Sequence, residues 1–105
     1  MKIQVNTDKN IAGHEELVAQ VEATVNKSLS RFSAHITRVE VHLSDENGDK
    51  NGQKDKRCVM EARLEGRQPT AVTCEAATLA QAVAGAADKL KSSIESTVEQ
   101  LREHR

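Results

Sequence analysis

This 105-residue chain contains two cysteines and four histidines, the residue types most able to act as nucleophiles, bases or metal ligands. A nucleophilic or metal site needs several such residues on one face, with a base or further ligands within reach. The histidines are dispersed along the chain, at His14, His35, His42 and His104. No Cys–His or Ser–His pair with a third orienting group is evident, and there is no glycine-rich phosphate loop. The sequence therefore predicts a protein that is not an enzyme and has neither a metal site nor a cofactor.

The two cysteines lie in neighbouring segments of alternating polarity, joined by the short turn Glu65-Gly66-Arg67. If this turn is a three-residue loop between antiparallel strands, Cys58 lies opposite Cys74 and both side chains point into the core. A redox link between the thiols is one interpretation. We favour the other, which is a pair of small buried hydrophobic residues in a reducing compartment. His42 cannot join them as a metal ligand, because its side chain is expected on the opposite face of its strand from the apolar residues.

A second set of candidate functional residues consists of basic side chains in two amphipathic segments. Lys27 and Arg31 lie near the end of the first segment, and Lys89 and Lys91 lie within the second. Lysine and arginine bind phosphates and release condensed counterions, as RNA binding requires. If the segments are helices that lie side by side, these four cations predict an RNA-binding patch. The alternative is a solvated surface of scattered charge, since several glutamates lie among them.

The overall charge gives no general attraction for nucleic acid. Fifteen Lys and Arg residues against sixteen Asp and Glu residues leave a formal net charge of −1. An RNA-binding protein of this composition must therefore collect its cations on one surface. Phe32 is the only aromatic residue, so a platform on which bases stack is not expected.

The elements that position these residues follow from hydrophobic periodicity. Alternating polarity predicts four strands, over residues 2–6, 38–43, 57–64 and 69–75. Apolar residues at helical spacing predict two helices, over residues 14–32 and 78–101. Thr78 and Gln81 form a capping box at the start of the second helix, and Gly85 indicates close packing of that helix on the sheet. The order predicts an α+β two-layer sandwich of βαβββα topology, a four-stranded sheet with both helices packed on one face.

The same pattern predicts how the rest of the chain is organised. Pro69, at the start of the fourth strand, places that strand at the border of the sheet. The open sheet face carries Arg38, Arg57 and Arg63, with glutamates as their expected partners across the strands. Two Asn-Gly steps within residues 44–56 predict a mobile hairpin loop. We expect a single domain over residues 1–105, without a targeting or membrane segment, in the cytoplasm.

Several short motifs, taken at their joint spacing, resemble a known family. They are the passage Leu29-Ser-Arg-Phe32, the strand pair from Cys58 to Cys74, and Asp88-Lys89-Leu90. From Met1 to about Leu101 the chain resembles the ribosome hibernation-promoting and ribosome-associated inhibitor family, also called sigma-54 modulation or ribosomal subunit interface proteins. The resemblance implies the βαβββα fold and binding to ribosomal RNA of the small subunit, where messenger and transfer RNA bind. It also implies translation inhibition under stress.

The resemblance assigns RNA contact to basic side chains of both helices, here Lys27, Arg31, Lys89 and Lys91. It places this chain among the short members, with no C-terminal extension for dimerisation. The chain departs from the family at Ser28, Ser92 and Ser96, which stand where the family has basic residues, and at Leu79, where the family has an aromatic one. These departures motivate an alternative, a diverged protein-interaction module of the same fold that no longer binds ribosomes. Its partner would bind the border strand or the open sheet face.

Overall fold

The computed structural model describes residues 1–8, 11, 14–45 and 55–103. Its elements are β1 (Lys2–Thr7), α1 (His14–Leu29), β2 (Ile36–Asp45), β3 (Lys56–Leu64), β4 (Thr70–Ala76) and α2 (Leu79–Glu103). The predicted βαβββα order and the α+β fold are confirmed. One difference is local. A 3₁₀ turn, Ser30–Phe32, follows α1 where the sequence predicted a continuous helix, and such turns are common at helix ends.

The four strands form one sheet in the order β1-β2-β3-β4. β1 and β2 are parallel and the other two pairs are antiparallel. A parallel pair needs a crossover connection, and α1 supplies it. β4 is a border strand, as Pro69 predicted. Gly66 adopts a φ of 73° in the β3–β4 turn, a conformation that glycine tolerates best. This turn sets the predicted register, in which Cys58 lies opposite Cys74.

The hydrophobic core lies between the inner sheet face and both helices. It is almost wholly aliphatic, and Phe32, the single aromatic residue, is 4% exposed. Its largest fully buried side chains are Leu29, Met60, Leu90, Ile94, Val21, Val25, Val39, Val41 and Cys58. Burial of such side chains is the main favourable contribution to folding, roughly 1.5–3 kcal/mol each.

The two helices run in the same direction across the sheet. Leu17, near the start of α1, and Leu79, the first residue of α2, line one groove between the helices. Lys27, near the end of α1, lines the next stretch with Lys91, which lies further along α2. Equivalent ends of the two helices are therefore adjacent, so residues of α1 and α2 can form one continuous surface.

Two local features fix the position of α2. The backbone N–H of Gln81 donates a 3.1 Å hydrogen bond to the Thr78 hydroxyl, which is one half of the predicted capping box. Gly85 lies against β4, and a Cβ built there would collide with the Sγ of Cys74. The predicted close packing at Gly85 is confirmed, and its reason is the cysteine side chain beneath it.

A charged cluster lies where β2 ends and β3 begins. Asp45 and Asp55 are buried, and the Lys56 ammonium lies 3.1 Å from an Oδ2 of the first and 3.3 Å from that of the second. The hydrogen bond to Asp45 raises the pKa of Lys56, so the cluster retains its cation at neutral pH. The predicted mobile loop falls chiefly on residues 46–54, which lie outside the described residues.

Candidate nucleic-acid interface

Two of the four predicted RNA-binding cations share a groove between the helices. Lys27 of α1 and Lys91 of α2 line a cavity of about 370 Å³, together with Thr24 and Asp88. The Lys27 side chain is exposed and that of Lys91 is half-buried. The carboxylate of Asp88 offsets part of the charge, but the two ammonium groups outnumber it. This arrangement could bind one anionic group, such as a phosphate.

Arg31 extends the same surface toward the ends of the helices. It lies four residues after Lys27, one turn further along the chain, and its Nη1 is 3.6 Å from an oxygen of Glu95. Its guanidinium also lies 5.2 Å from the centroid of the Phe32 ring. The Arg31 side chain is 70% exposed. An exposed ion pair of this kind contributes little stability, so Glu95 holds Arg31 only weakly. Glu99 lines the same small cavity as this pair.

Lys89 lies apart from the other three cations. Its Nζ donates a 2.8 Å hydrogen bond to the backbone carbonyl oxygen of Thr73, on β4. Positions two residues apart on a helix are separated by roughly 200° of rotation. Lys89 therefore projects toward the border strand, whereas Lys91 projects toward α1.

An apolar stretch of the same groove was not anticipated as a site. It has a volume of about 330 Å³ and is lined mainly by aliphatic residues, among them Leu17, Val21, Leu79 and Val83. From the sequence, these side chains belong to the two core-facing stripes. One signal in the sequence could have revealed the groove. Each helix begins with an apolar residue at the edge of its core-facing stripe, Leu17 and Leu79, and both remain partly exposed.

The open sheet face differs in detail from its prediction. Arg38 is paired with Glu40 at 3.1 Å and contacts the side-chain oxygen of Gln4, while Arg63 is paired with Glu61 at 3.7 Å. Glu40 and Glu61 were predicted as partners, which is confirmed, but their predicted position across the strands was wrong. The register places Arg38 opposite Arg63 and Glu40 opposite Glu61. Because like charges face each other across the strands, each arginine pairs along its own strand instead. The predicted opposition of Arg57 and Glu75 is confirmed by the register of β3 and β4.

The cysteines lie together beneath α2 as free thiols, with Cys58 buried and Cys74 half-buried. Burial, together with the neighbouring Cys74, raises the pKa of Cys58 to about 12. Cys58 is therefore a protonated and poorly reactive thiol at neutral pH. His42 is exposed on the opposite sheet face. Among the described residues, no cluster of three or more His, Cys, Asp or Glu side chains could hold a metal ion.

Neither described helix is long and apolar enough to cross a membrane. The fold is a small α+β domain, with a cationic and an apolar cavity next to each other between its helices. The family model for sigma 54 modulation protein / S30EA ribosomal protein matches residues 4–102. The chain belongs to this family, and the resemblance found in the sequence is confirmed.

Two solved structures are similar to the whole domain. One is the Protein Y N-terminal domain of Thermus thermophilus, with a TM-score of 0.75 and 22% identity over 92% of this chain and 99% of that one. The other is a ribosomal subunit interface protein from Coxiella burnetii, with a TM-score of 0.75 and 15% identity over 94% of this chain and 99% of that one. At these identities the likeness establishes a shared fold. No curated protein matches the chain in sequence.

Proposed function

We propose that this protein binds the small ribosomal subunit in the cytoplasm and silences translation under stress, through contacts between its two helices and ribosomal RNA. The observation that carries the proposal is the family match, which extends over both helices and the sheet, from residue 4 to residue 102. The name of the Coxiella burnetii neighbour, a ribosomal subunit interface protein, supports it. A binding role also agrees with the prediction that the chain is not an enzyme.

Lys27, Arg31, Lys89 and Lys91 are the proposed RNA contacts, with unequal roles. Lys27 and Lys91 form the centre, because they line one groove. Arg31 extends it by exchanging Glu95 for a phosphate. Lys89 would contribute from the other flank of α2, after leaving the carbonyl oxygen of Thr73. Since the net charge is −1, binding depends on these local cations rather than on a general field.

Co-sedimentation with ribosomes through sucrose, at low and high salt, tests this proposal. The wild-type protein should sediment with ribosomes at low salt and be released as salt rises, because phosphate contacts release counterions. The double variant Lys27→Glu/Lys91→Glu should lose binding. Lys2→Glu is the matched control for each single lysine variant, since Lys2 is exposed on β1 and lies opposite Arg38 of the open sheet face. A wild-type protein that fails to sediment even at low salt would remove the proposal.

The finer parts of the proposal need separate assays. Sedimentation with purified small and large subunits should recover the protein with the small subunit alone. In a cell-free translation reaction, the wild-type protein should lower product yield and the double lysine variant should not. Inhibition by both proteins would mean that translation is affected by some route other than the groove.

The alternative, a protein-interaction module, has a weaker structural basis. Lys89 already occupies the carbonyl oxygen of Thr73 on the border strand, and an added strand would have to displace it. On the open face, Arg38 and Arg63 are paired with glutamates. A pull-down from nuclease-treated lysate that recovers one defined protein, and no ribosomal component, would favour this alternative.

A further inference from the structure

We propose that the groove between α1 and α2 binds a single unpaired nucleotide of RNA, with its base in the apolar stretch and its phosphate between Lys27 and Lys91. This inference rests on the proposed function and names the ligand of the same surface. It distinguishes recognition of a single strand from general attraction to the RNA backbone.

The two stretches of the groove adjoin at one residue. Thr24 lines both the apolar cavity and the cationic one. The apolar cavity, at about 330 Å³, falls at the lower end of the range of small-molecule sites, roughly 300–1,000 Å³. It is large enough for one planar base. Because the helices are parallel, each contributes one aliphatic stretch and then one lysine in the same order along the groove.

The spacing also suits one nucleotide. Val21 lines the apolar stretch and Lys27 the cationic one, and six residues along a helix correspond to about 9 Å. Side chains on a helix lean toward its N-terminus, so both lysines incline toward the apolar stretch. A sugar and a flexible lysine side chain can bridge the remaining distance. The two ammonium groups and the Asp88 carboxylate leave a local excess of one positive charge to meet the phosphate.

An unpaired nucleotide uses both stretches, whereas a duplex uses only one. In a duplex the bases are stacked and paired, so it could offer phosphates to Lys27 and Lys91 but leave the aliphatic walls in water. An unpaired base can enter a pocket and contact apolar side chains on its faces. With no aromatic residue lining the groove, this contact comes chiefly from the partly exposed Leu17 and Leu79, because Val21 and Val83, which also line it, are almost wholly buried. The chemistry therefore favours single-stranded RNA.

Methyl NMR of the full chain tests the site directly. The probes are a single-stranded oligoribonucleotide, the duplex of the same sequence, adenosine and inorganic phosphate. The single strand should shift the methyl signals of Leu17, Val21, Leu79 and Val83 and bind about tenfold more tightly than the duplex. Adenosine should shift the same methyl signals more weakly, and phosphate should act only near the lysines. Equal binding of single strand and duplex, with unmoved methyl signals, would overturn the inference.

Groove-filling variants provide the matched comparison. Ala80 and Ala23 are exposed and line the apolar stretch, whereas Ala19 is exposed on α1 and does not line it. Ala80→Leu and Ala23→Leu should each weaken single-strand binding by about tenfold, and Ala19→Leu should leave it unchanged. Leucine is a good helix former, so all three variants should fold, which circular dichroism checks. An apolar peptide that shifts the same methyl signals, independently of Lys27, would show that the groove binds protein instead.

Ribosome co-sedimentation separates this inference from the proposed function. If wild type and Ala80→Leu sediment equally well, the function stands and the nucleotide site is excluded. If wild type does not sediment but the single strand still shifts the groove methyl signals, the nucleotide site stands and ribosome binding fails. Loss of sedimentation in Ala80→Leu but not in Ala19→Leu supports both.

Discussion

Helix α2 contacts its neighbours in two different ways on its two flanks. On the β4 flank, Gly85 lies directly over Cys74, and Lys89 is hydrogen-bonded to the backbone of Thr73 at 2.8 Å. On the α1 flank, a groove follows the helix and contains Lys91. One flank therefore maintains the fold, and the other leaves side chains available to a ligand. Cations close in sequence, such as Lys89 and Lys91, can therefore have separate roles.

The largest expected effect is a loss of stability from a substitution on the β4 flank of α2. Gly85→Ala should destabilise the protein, because the new Cβ collides with the Cys74 Sγ, and overpacking costs about 1–3 kcal/mol. In a Cys74→Ala background the same substitution should stabilise it, since alanine is favoured over glycine in a helix by about 1 kcal/mol. Chemical denaturation of all four proteins measures this coupling. Equal effects in both backgrounds would mean that α2 is not in tight contact with β4.

The next effect concerns the thiol beneath that flank. Cys58 has its pKa raised to about 12 in the folded state, whereas an unfolded cysteine ionises near 9. Below about pH 8 both states hold the proton, so stability does not depend on this group. At pH 10 the unfolded thiol ionises and the folded one does not, which should cost about 1.4 kcal/mol.

Denaturation at pH 8 and pH 10 measures this loss. Cys58→Ala is the control, and it should show a smaller decrease between the two pH values because the titrating group is absent. An equal decrease in both proteins would assign the alkaline sensitivity to other groups.

The third prediction compares the flanks through two lysines of one helix. Lys91→Glu should weaken ribosome co-sedimentation by about tenfold, or about 1.4 kcal/mol, because Lys91 shares its groove with Lys27. Lys89→Glu, with the same charge change, should weaken it less, because Lys89 projects toward β4. If Lys89→Glu has the greater effect, the RNA surface lies on the border-strand flank and the comparison is reversed.

The smallest expected effect is on stability, when the same two lysines are replaced by an uncharged residue. Lys89→Met should lower the free energy of unfolding by about 0.5 kcal/mol, since it removes one exposed hydrogen bond to Thr73. Lys91→Met should leave stability unchanged, because no hydrogen bond or ion pair of Lys91 holds the fold in the described part of the chain. Thermal unfolding of the two variants checks this. A larger loss in Lys91→Met would show that the groove also stabilises the fold.

Much of the fold could be predicted from the sequence, and less of the site. The helix stripes, the N-cap role of Thr78 and the opposition of Cys58 to Cys74 are all confirmed, because each depends on residues within a few positions or on one short turn. For Arg38 and Arg63 the glutamate partners were predicted correctly, but their placement across the strands was wrong. Their partners depend on the register of β2 against β3, which places like charges opposite each other.

The sequence by itself determined the order of the elements, the faces that are buried and the family, because these depend on periodic patterns along the chain. Only the tertiary structure decided which cations share a surface. Lys27 and Lys91 are far apart in the chain, and they meet because α1 and α2 cross the same sheet in the same direction. Lys89 and Lys91 are two residues apart, and they diverge because each residue of a helix turns by about 100°.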